Sequence, residues 1–402
     1  MLKKILYNLF YSLEKIITLF FVPNIKRKTI VVRTDAIGDY VLFRNFLKPL
    51  YEKYGKFTLV GNIAYQDFAM QLDGEYLEEF IPLNRKKFSC DLFYRFAFLK
   101  KLRKYSYQTL INPIYSRDRV SEDIARVIVA KEKIASSGDN SNLHPLLKIK
   151  YDKTYNVLLS AKKEVMFEFY RNLEFFRNLI SPNLQVDFFI KLLHPQDVLK
   201  TFNLSLPYSI LFIGASADFR KWDKRNFIEI GKFLHSQFRD NIVICGGKED
   251  FENGEYIKSE LEKSSITCIN LCGKTSLLEL VKIIYNSNYL ISNETSCTHI
   301  AMSIRHNKTF VISNGNHLDR FVPYPQNFVG YHPIFHPKIY DPSYATNNSG
   351  KSSLLNINEI NFQSVIEKIQ TLQDIKDIII GCVFSKDICE YLLQLFHYHH
   401  SL

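Results

Sequence analysis

The sequence predicts an α/β protein in which two doubly wound domains face each other across a cleft. Its 402 residues exceed what one ordinary hydrophobic core holds, so two domains are expected. Short β-branched segments alternate with helical patterns along the chain, which is typical of parallel βαβ units. The alternation starts after residue 28 and starts again near Tyr208, which indicates that the same kind of domain occurs twice.

The composition excludes several other classes of protein. Hydrophobic residues make up 46% and charged residues 23%, with only 15 Gly and 13 Pro, so the chain is neither disordered nor collagen-like. Its formal net charge of +11 favours anionic partners such as phosphates or an acidic membrane surface. The basic residues are dispersed rather than gathered on one aromatic-basic face, so nucleic acid is not an expected partner.

Residues 1–27 are predicted to form an amphipathic helix that associates with a membrane. Apolar residues recur at helical spacing from Leu2 to Phe20, while Glu14 and Lys15 interrupt any run that could span a bilayer. The expected location is cytoplasmic, peripheral on the inner face of the plasma membrane. The alternative is a helix that packs on the protein's own core or on a partner chain, and the sequence leaves both open.

The N-terminal domain is expected at residues 28–200. Its predicted strands comprise residues 29–33, 57–61, 109–112 and 133–136. Helical patterns lie between these strands, and the longest of them covers residues 155–179.

The C-terminal domain is expected at residues 205–356. Its predicted strands are the runs SILFIG, NIVICGG, ITCINL, NYLISN and KTFVISN, the first four of which are followed by helical patterns. Residues 331–356 are rich in Pro, Asn, Ser and Tyr and are predicted to form a long loop. Residues 357–402 are predicted to contain a closing helix, over 357–372, and a tail without an interpretable motif.

Ligands of open parallel sheets bind beyond the carboxyl ends of the strands, where helix N-termini hold anions. The loop at 33–39 follows the first strand and places Asp35, Gly38 and Asp39 at a helix start. A carboxylate in this place can act as a general base toward a bound substrate. Asp is also a common helix-capping residue, so a structural role for Asp39 stays open.

Two further loops carry phosphate-binding chemistry. Residues 214–222 combine small residues, which leave the backbone exposed, with the donors Ser216, Arg220 and Lys221, and this combination suits a pyrophosphate. The segment SNETSCTH opens a helix with hydroxyls, free N–H groups and the imidazole of His299. Each loop has a structural alternative: a solvated turn for the first, and a scaffold hydrogen bond for His299.

Four segments carry a resemblance to a known family. They are RTDAIGDYVLFRNFLKPL, GASADFRKWDKRNFIEIGKFL, NIVICGGKED and LCGKTSLLELVKIIYNSNYLISNETSCTHIAMSI. In order and spacing they resemble blocks of glycosyltransferase family 9, the heptosyltransferase-like enzymes of bacterial surface polysaccharide assembly. The resemblance covers residues 33–304, is weak between about 60 and 200, and is absent from both termini.

The resemblance implies two facing Rossmann-like domains (the GT-B fold) and metal-independent, inverting transfer from a nucleotide-diphosphate sugar to a lipid-linked or lipopolysaccharide acceptor. Asp39 matches the family's proposed general base in the Ile-Gly-Asp motif, and Asp35 is the alternative. The positions that match donor- and phosphate-binding residues of the family are Ser216, Arg220 with Lys221 as the next candidate, Glu249, Gly273, Glu294, Thr295, Ser296 and His299.

The chain also departs from the family pattern. Arg220 stands where the family has Lys, and its planar fork has a different reach. Glu294, Thr295 and Ser296 stand where well-known members have Asp-Thr-Gly, so the donor sugar is open among heptose, hexose, deoxyhexose and N-acetyl sugars.

Other functions fit the sequence less well. A Rossmann-type oxidoreductase is disfavoured because GxGxxG is missing after the first strand of either domain. A non-catalytic nucleotide-sugar binding protein of the same family remains the alternative, although Asp39, the basic pair and His299 are all present. Cys268 and Cys272 have the spacing of half a zinc site, but no matching second pair follows, so neither a metal nor a cofactor is expected.

Overall fold

A computed structural model describes residues 20–383 of the chain, together with Phe10, Ile16 and Ile17. The described part contains two sheets of six parallel strands, with helices between all consecutive strands except the last two of the second sheet. This arrangement confirms the predicted α/β fold with two doubly wound sheets.

The first sheet is built from residues 25–159 and the second from residues 208–335. The first sheet contains β1 (Ile25–Arg33), β2 (Phe57–Asn62), β3 (Leu77–Leu83), β4 (Tyr105–Asn112), β5 (Val129–Ser136) and β6 (Val157–Leu159). The second sheet contains β7 (Tyr208–Phe212), β8 (Asn241–Cys245), β9 (Cys268–Asn270), β10 (Leu290–Asn293), β11 (Thr309–Ser313) and β12 (Tyr331–Phe335).

The α-helices lie between and after these strands. Those of the first half are α1 (Ile37–Phe43), α2 (Leu47–Tyr54), α3 (Gln66–Asp73), α4 (Arg85–Cys90), α5 (Leu92–Leu102), α6 (Arg119–Val127), α7 (Pro145–Asp152), α8 (Glu168–Leu179) and α9 (Asp197–Thr201). Those of the second half are α10 (Lys224–Phe238), α11 (Phe251–Lys263), α12 (Leu277–Asn286), α13 (Ser296–Ser303), α14 (Pro342–Asn348) and α15 (Phe362–Val383).

Both sheets have the same strand order. The first runs β3-β2-β1-β4-β5-β6 and the second β9-β8-β7-β10-β11-β12, so each half is a complete doubly wound unit. The order reverses between β1 and β4 in the first sheet and between β7 and β10 in the second. Crevices at such reversal points are where sheets of this kind bind ligands.

Burial explains why the central strands could be predicted from the sequence. All five residues of β7 are buried, and so are the last five of β1, because helices cover both faces of each sheet. The helices are fixed by local signals as well. In α12, for example, the backbone N–H of Ser276 donates to Glu279 Oε2 at 2.7 Å, and Ser276 Oγ accepts from the N–H of Glu279 at 3.3 Å.

The sequence prediction missed β3, β6 and β12. All three lie at sheet edges and contain residues that are only partly buried, so a continuous apolar run is not required. β3 contains two glutamates and a proline, and β12 contains Pro333, which an edge strand tolerates. The predicted loop over 331–356 is therefore wrong, because it contains β12 and α14, and the predicted helix over 155–179 is wrong before Glu168, because it contains β6.

The two ends of the chain also differ from the prediction. The closing helix does not begin at Ile357, which starts a short 3-10 turn, but at Phe362, and it continues to Val383, packing on α10 and β12. β1 begins at Ile25, inside the range predicted for the N-terminal helix. Most of that helix, and the tail after residue 383, lie outside the described residues. Ile17 is fully buried against the first half, whereas Phe20 is 75% exposed.

Candidate active site

A cleft of about 500 Å³ lies between the carboxyl ends of the two sheets. Its walls come from the loops after β1, β7, β8, β9, β10 and β11, so it lies at the reversal point of the second sheet. A second cavity of about 680 Å³ adjoins it on the side of the first half. We call these spaces the central cleft and the side cavity. Ala36, Asp39, His317 and Phe321 line both.

Asp39 lies in the first turn of α1 at the junction of the two cavities. Its Oδ2 accepts a hydrogen bond from the backbone N–H of Ala36 at 3.3 Å, which is the capping role that the sequence left open. The side chain nevertheless lines both cavities, so capping and chemistry do not exclude each other.

A buried arginine holds this acidic loop in place. Arg33 is fully buried at the end of β1, and its Nε lies 3.0 Å from Asp35 Oδ1. Its Nη2 donates to the backbone carbonyl of Asp39 at 3.2 Å and lies 3.7 Å from Glu168 Oε1. A buried guanidinium needs such partners, so the carboxylates and Arg33 stabilise one another.

A second arginine reaches the same cluster from the other half. Arg320 Nε lies 3.1 Å from Glu168 Oε2, and its Nη1 donates to Ser116 Oγ at 2.9 Å. Burial raises the pKa of both Asp35 and Asp39 above the ordinary value, and Arg33 opposes this rise in each case. Nearby Glu168 raises the pKa of Asp39 further, while Arg320 lowers it. A carboxylate with a raised pKa is the better proton acceptor near neutral pH.

The loop after β7 carries Arg220 into the central cleft. The guanidinium donates to Ser216 Oγ at 3.1 Å and to Glu294 Oε1 at 2.9 Å, and it also donates to the backbone carbonyl of Glu294. The other carboxylate oxygen of Glu294 accepts from the hydroxyl of Ser313. Glu294 therefore orients Arg220. These two side chains, which replace the Asp and the Lys of the family pattern, contact each other.

Lys221 points the opposite way from its neighbour. Its Nζ lies 2.8 Å from Oδ1 of the buried Asp250, whose Oδ2 accepts from the backbone N–H of Gly247 at 2.9 Å. A Cβ on Gly214 would lie 2.6 Å from this Asp250 Oδ2. Glycine therefore permits the loops after β7 and β8 to meet, and Lys221 fastens them together.

The N-terminus of α13 forms the wall of the central cleft between Arg220 and Asp39. Thr295 and Ser296 line the cleft there, where backbone N–H groups at the helix start favour an anion. His299 lies one turn further on and is 7% exposed, and burial together with Arg220 lowers its pKa to about 3. The imidazole is therefore neutral at physiological pH.

The two halves touch at this point. A Cβ on Gly38 would lie 2.7 Å from Cδ2 and 3.4 Å from Nε2 of His299, so glycine permits α1 and α13 to pack closely. Asp39, the next residue, is thereby brought beside the N-terminus of α13.

The far end of the central cleft is formed by the loops after β8 and β9. Glu249 is exposed there, and Gly273 has a φ of +69°, a backbone conformation that favours glycine. A Cβ on Gly273 would lie 2.7 Å from Cα of Lys248, so these two loops adjoin each other.

The structure brings nine of the residues proposed from the sequence to the central cleft. They are Asp39, Ser216, Arg220, Glu249, Gly273, Glu294, Thr295, Ser296 and His299. Asp35 lines the side cavity instead. Lys221 is not part of the lining of either cavity within the described residues, since it is paired with Asp250.

Sequence reasoning missed six residues that complete the site, most of which come from distant segments. These are Arg33, Arg85, Glu168, His317, Arg320 and Tyr324. Two signals could have pointed to some of them. Arg33 ends a buried strand, where a charged side chain needs a partner. The segment GNHLDR, which contains His317 and Arg320, follows β11, and β11 is the neighbour of β10, whose following loop carries site residues.

Two facing doubly wound domains, with a cleft between the carboxyl ends of their strands, define a GT-B protein. The family model described as glycosyltransferase family 9 (heptosyltransferase) matches residues 95–309, more than half of the chain. The chain therefore belongs to glycosyltransferase family 9, a family of transferases.

Comparison with individual proteins agrees with this family. The chain is 29% identical over 86 residues to lipooligosaccharide heptosyltransferase 2 of Haemophilus influenzae, a match that spans 21% of this chain and 25% of that protein. The glycosyltransferase family 9 structure from Veillonella parvula has a TM-score of 0.62 and 17% identity, covering 87% of this chain and 98% of the other. E. coli heptosyltransferase WaaC with ADP has a TM-score of 0.61 and 14% identity, again covering 87% and 98%. These structures show the shared fold.

Proposed function

We propose that the protein is a metal-independent, inverting glycosyltransferase that moves a sugar from a nucleotide-diphosphate sugar to a lipopolysaccharide or other surface-glycan acceptor. The observation that carries this proposal is the position of Asp39, at the junction of two cavities and beside an anion-binding wall. A donor in the central cleft and an acceptor in the side cavity would meet at this carboxylate.

The donor binds mainly to the second half. Its diphosphate lies against Arg220, the N-terminus of α13 and His299, while the nucleoside extends toward Glu249 and Gly273. Charge-assisted hydrogen bonds of this kind contribute roughly 1.5–3 kcal/mol each. Because these groups and the helix dipole neutralise the leaving diphosphate, the reaction proceeds without a divalent ion.

The chemistry follows from this placement. Asp39 accepts the proton of an acceptor hydroxyl as the oxygen of that hydroxyl forms a bond to the anomeric carbon. The bond from that carbon to the diphosphate breaks, and the nucleoside diphosphate leaves with the electron pair. Attack from the face opposite the leaving group inverts the anomeric configuration.

The acceptor enters the side cavity. Basic and acidic side chains line this space together, so it suits a polar acceptor that offers hydroxyl groups. They are Arg85, Arg320, Lys351, Asp35, Asp39 and Asp118. The first half also exposes Phe20 by 75% and Val22 by 80%, next to basic β1 residues. These side chains support a peripheral position on an anionic membrane, where a lipid-linked acceptor resides. No helix within the described residues is both long and apolar enough to cross a bilayer.

The test is a donor screen followed by a transfer assay. Thermal unfolding is measured with ADP-, UDP- and GDP-sugars, starting with ADP-heptose because E. coli WaaC was solved with ADP-2-deoxy-2-fluoro heptose. A bound donor raises the unfolding temperature according to its concentration and dissociation constant. Transfer to a lipopolysaccharide acceptor should then survive EDTA. Binding without transfer to any surface glycan would favour a non-catalytic protein, and a strict need for a divalent ion would contradict the mechanism.

A further inference from the structure

Tyr324 lies directly behind His299, on the side away from the central cleft. Its hydroxyl is 2.6 Å from His299 Nδ1, and the two side chains belong to residues that are only 5% and 7% exposed. Tyr324 follows β11 in the chain and is packed among aromatic rings, including Phe167 at a centroid distance of 4.7 Å.

The direction of this hydrogen bond follows from the available partners. Among the described residues, His299 Nδ1 is the only hydrogen-bond partner of the Tyr324 hydroxyl. If Nδ1 carried the proton and donated, the phenolic hydrogen would be buried without an acceptor, which costs free energy. The arrangement that satisfies both groups has Tyr324 donating to an unprotonated Nδ1.

This hydrogen bond determines the protonation of the second ring nitrogen, Nε2. A neutral imidazole carries one proton, so an accepting Nδ1 places that proton on Nε2. Nε2 faces the central cleft, 3.4 Å from the position that a Cβ on Gly38 would occupy. With the other tautomer, a lone pair would face the diphosphate instead and repel it.

We propose that Tyr324 is a positioning residue that holds His299 as the Nε2–H tautomer, so that this imidazole is a neutral hydrogen-bond donor to the leaving diphosphate. The benefit to the diphosphate rests on the proposed function, whereas the tautomer itself does not. Burial raises the pKa of the Tyr324 phenol well above its ordinary value, so the hydroxyl keeps its proton over the working pH range. Tautomers of this kind are set by the hydrogen bond that the second ring nitrogen makes.

The first test reads the tautomer directly. The full chain is labelled with ¹⁵N-histidine, and the His299 signals are assigned by their loss in His299→Gln. The proposal predicts a protonated Nε2 and an accepting Nδ1 without any ligand. The Nε2–H signal should shift when inorganic pyrophosphate or ADP is added. A protonated Nδ1 in the ligand-free protein would overturn the proposal, whether or not the protein transfers sugar.

The second test separates positioning from a merely structural role. Tyr324→Phe removes the hydroxyl but keeps the ring, and it should weaken ADP binding about 2- to 10-fold, the effect of one hydrogen bond. His299→Gln places an amide donor near the position of Nε2 that does not depend on Tyr324. In that background, Tyr324→Phe should cause no further loss. The same loss in both backgrounds would show that Tyr324 supports the fold rather than the imidazole.

Discussion

The two halves of the molecule share a strand order but build their parts of the site in different ways. In the second half, the loops after β7, β8 and β10 each contribute groups to the central cleft. Arg220 contacts Glu294, which lies 74 positions further along the chain. In the first half, Asp39 depends on a cluster that includes Glu168. Arg320 contacts Glu168 and Ser116 of that cluster, although it lies 152 and 204 positions after them in the chain. The groups around Arg220 therefore all come from the second half, whereas the cluster around Asp39 needs residues of both halves.

The largest effect should come from the base in the first half. Asp39→Asn keeps the shape of the side chain but removes its ability to accept a proton, and should lower kcat by about 10²–10⁴-fold. ADP affinity, measured by calorimetry, should change little because Arg220 and His299 are intact. Asp35→Asn is the matched control, since Asp35 lies in the side cavity only. An inactive Asp35→Asn beside an active Asp39→Asn would move the base to Asp35.

The next effect should come from the donor side. Arg220→Ala removes a charge-assisted contact and should weaken ADP binding about 10- to 100-fold, corresponding to roughly 1.5–3 kcal/mol. Lys221→Ala is its neighbour and control: it should lower the unfolding temperature, because Asp250 is left buried without its cation, while ADP binding is largely kept. Equal ADP affinity in wild type and Arg220→Ala would place the diphosphate elsewhere.

The first half also differs from the second in its exposed apolar side chains near the N-terminus, Phe20 and Val22. Replacing both Phe20 and Val22 by Ser should reduce co-sedimentation with anionic vesicles about tenfold or more, since burying one large apolar side chain contributes roughly 1.5–3 kcal/mol. Leu354→Ser is the control, because Leu354 is 98% exposed in the second half. Vesicle binding that is unchanged in the double variant, or equally reduced in Leu354→Ser, would contradict a membrane-facing first half.

The smallest effect concerns the dependence of the base on the second half. The pKa of Asp39 is raised, chiefly by burial, so transfer should be lost as pH falls through a value above the ordinary 3.8, where the carboxylate takes up a proton. Arg320 favours the charged form of Asp39, so Arg320→Gln should move this acid limb of kcat/KM to higher pH. Arg320→Lys should restore the wild-type profile in part. Identical profiles in wild type and Arg320→Gln would show that the second half does not tune the base.

The same contrast explains what the sequence could predict. The buried central strands and the loops that follow them have continuous local signals, and the predicted donor residues Arg220, Thr295 and His299 meet at the central cleft. The edge strands β3, β6 and β12 lack such a signal because β6 is only three residues long and β3 and β12 each contain a proline and partly buried positions. Glu168 and Arg320 are common residue types, and only the packing of α8 and of the loop after β11 brings them to Asp39.

The configuration of the transferred sugar tests the central claim most directly, namely that Asp39 serves a single displacement between a donor on the second half and an acceptor on the first. ¹H NMR of the product formed from a donor of known anomeric configuration reads this outcome. Inversion at the anomeric carbon is the predicted result, since the acceptor oxygen attacks opposite the diphosphate. Retention would require either a sugar bound covalently to the protein before transfer or attack from the same face as the departing diphosphate, and would contradict a single displacement with Asp39 as general base.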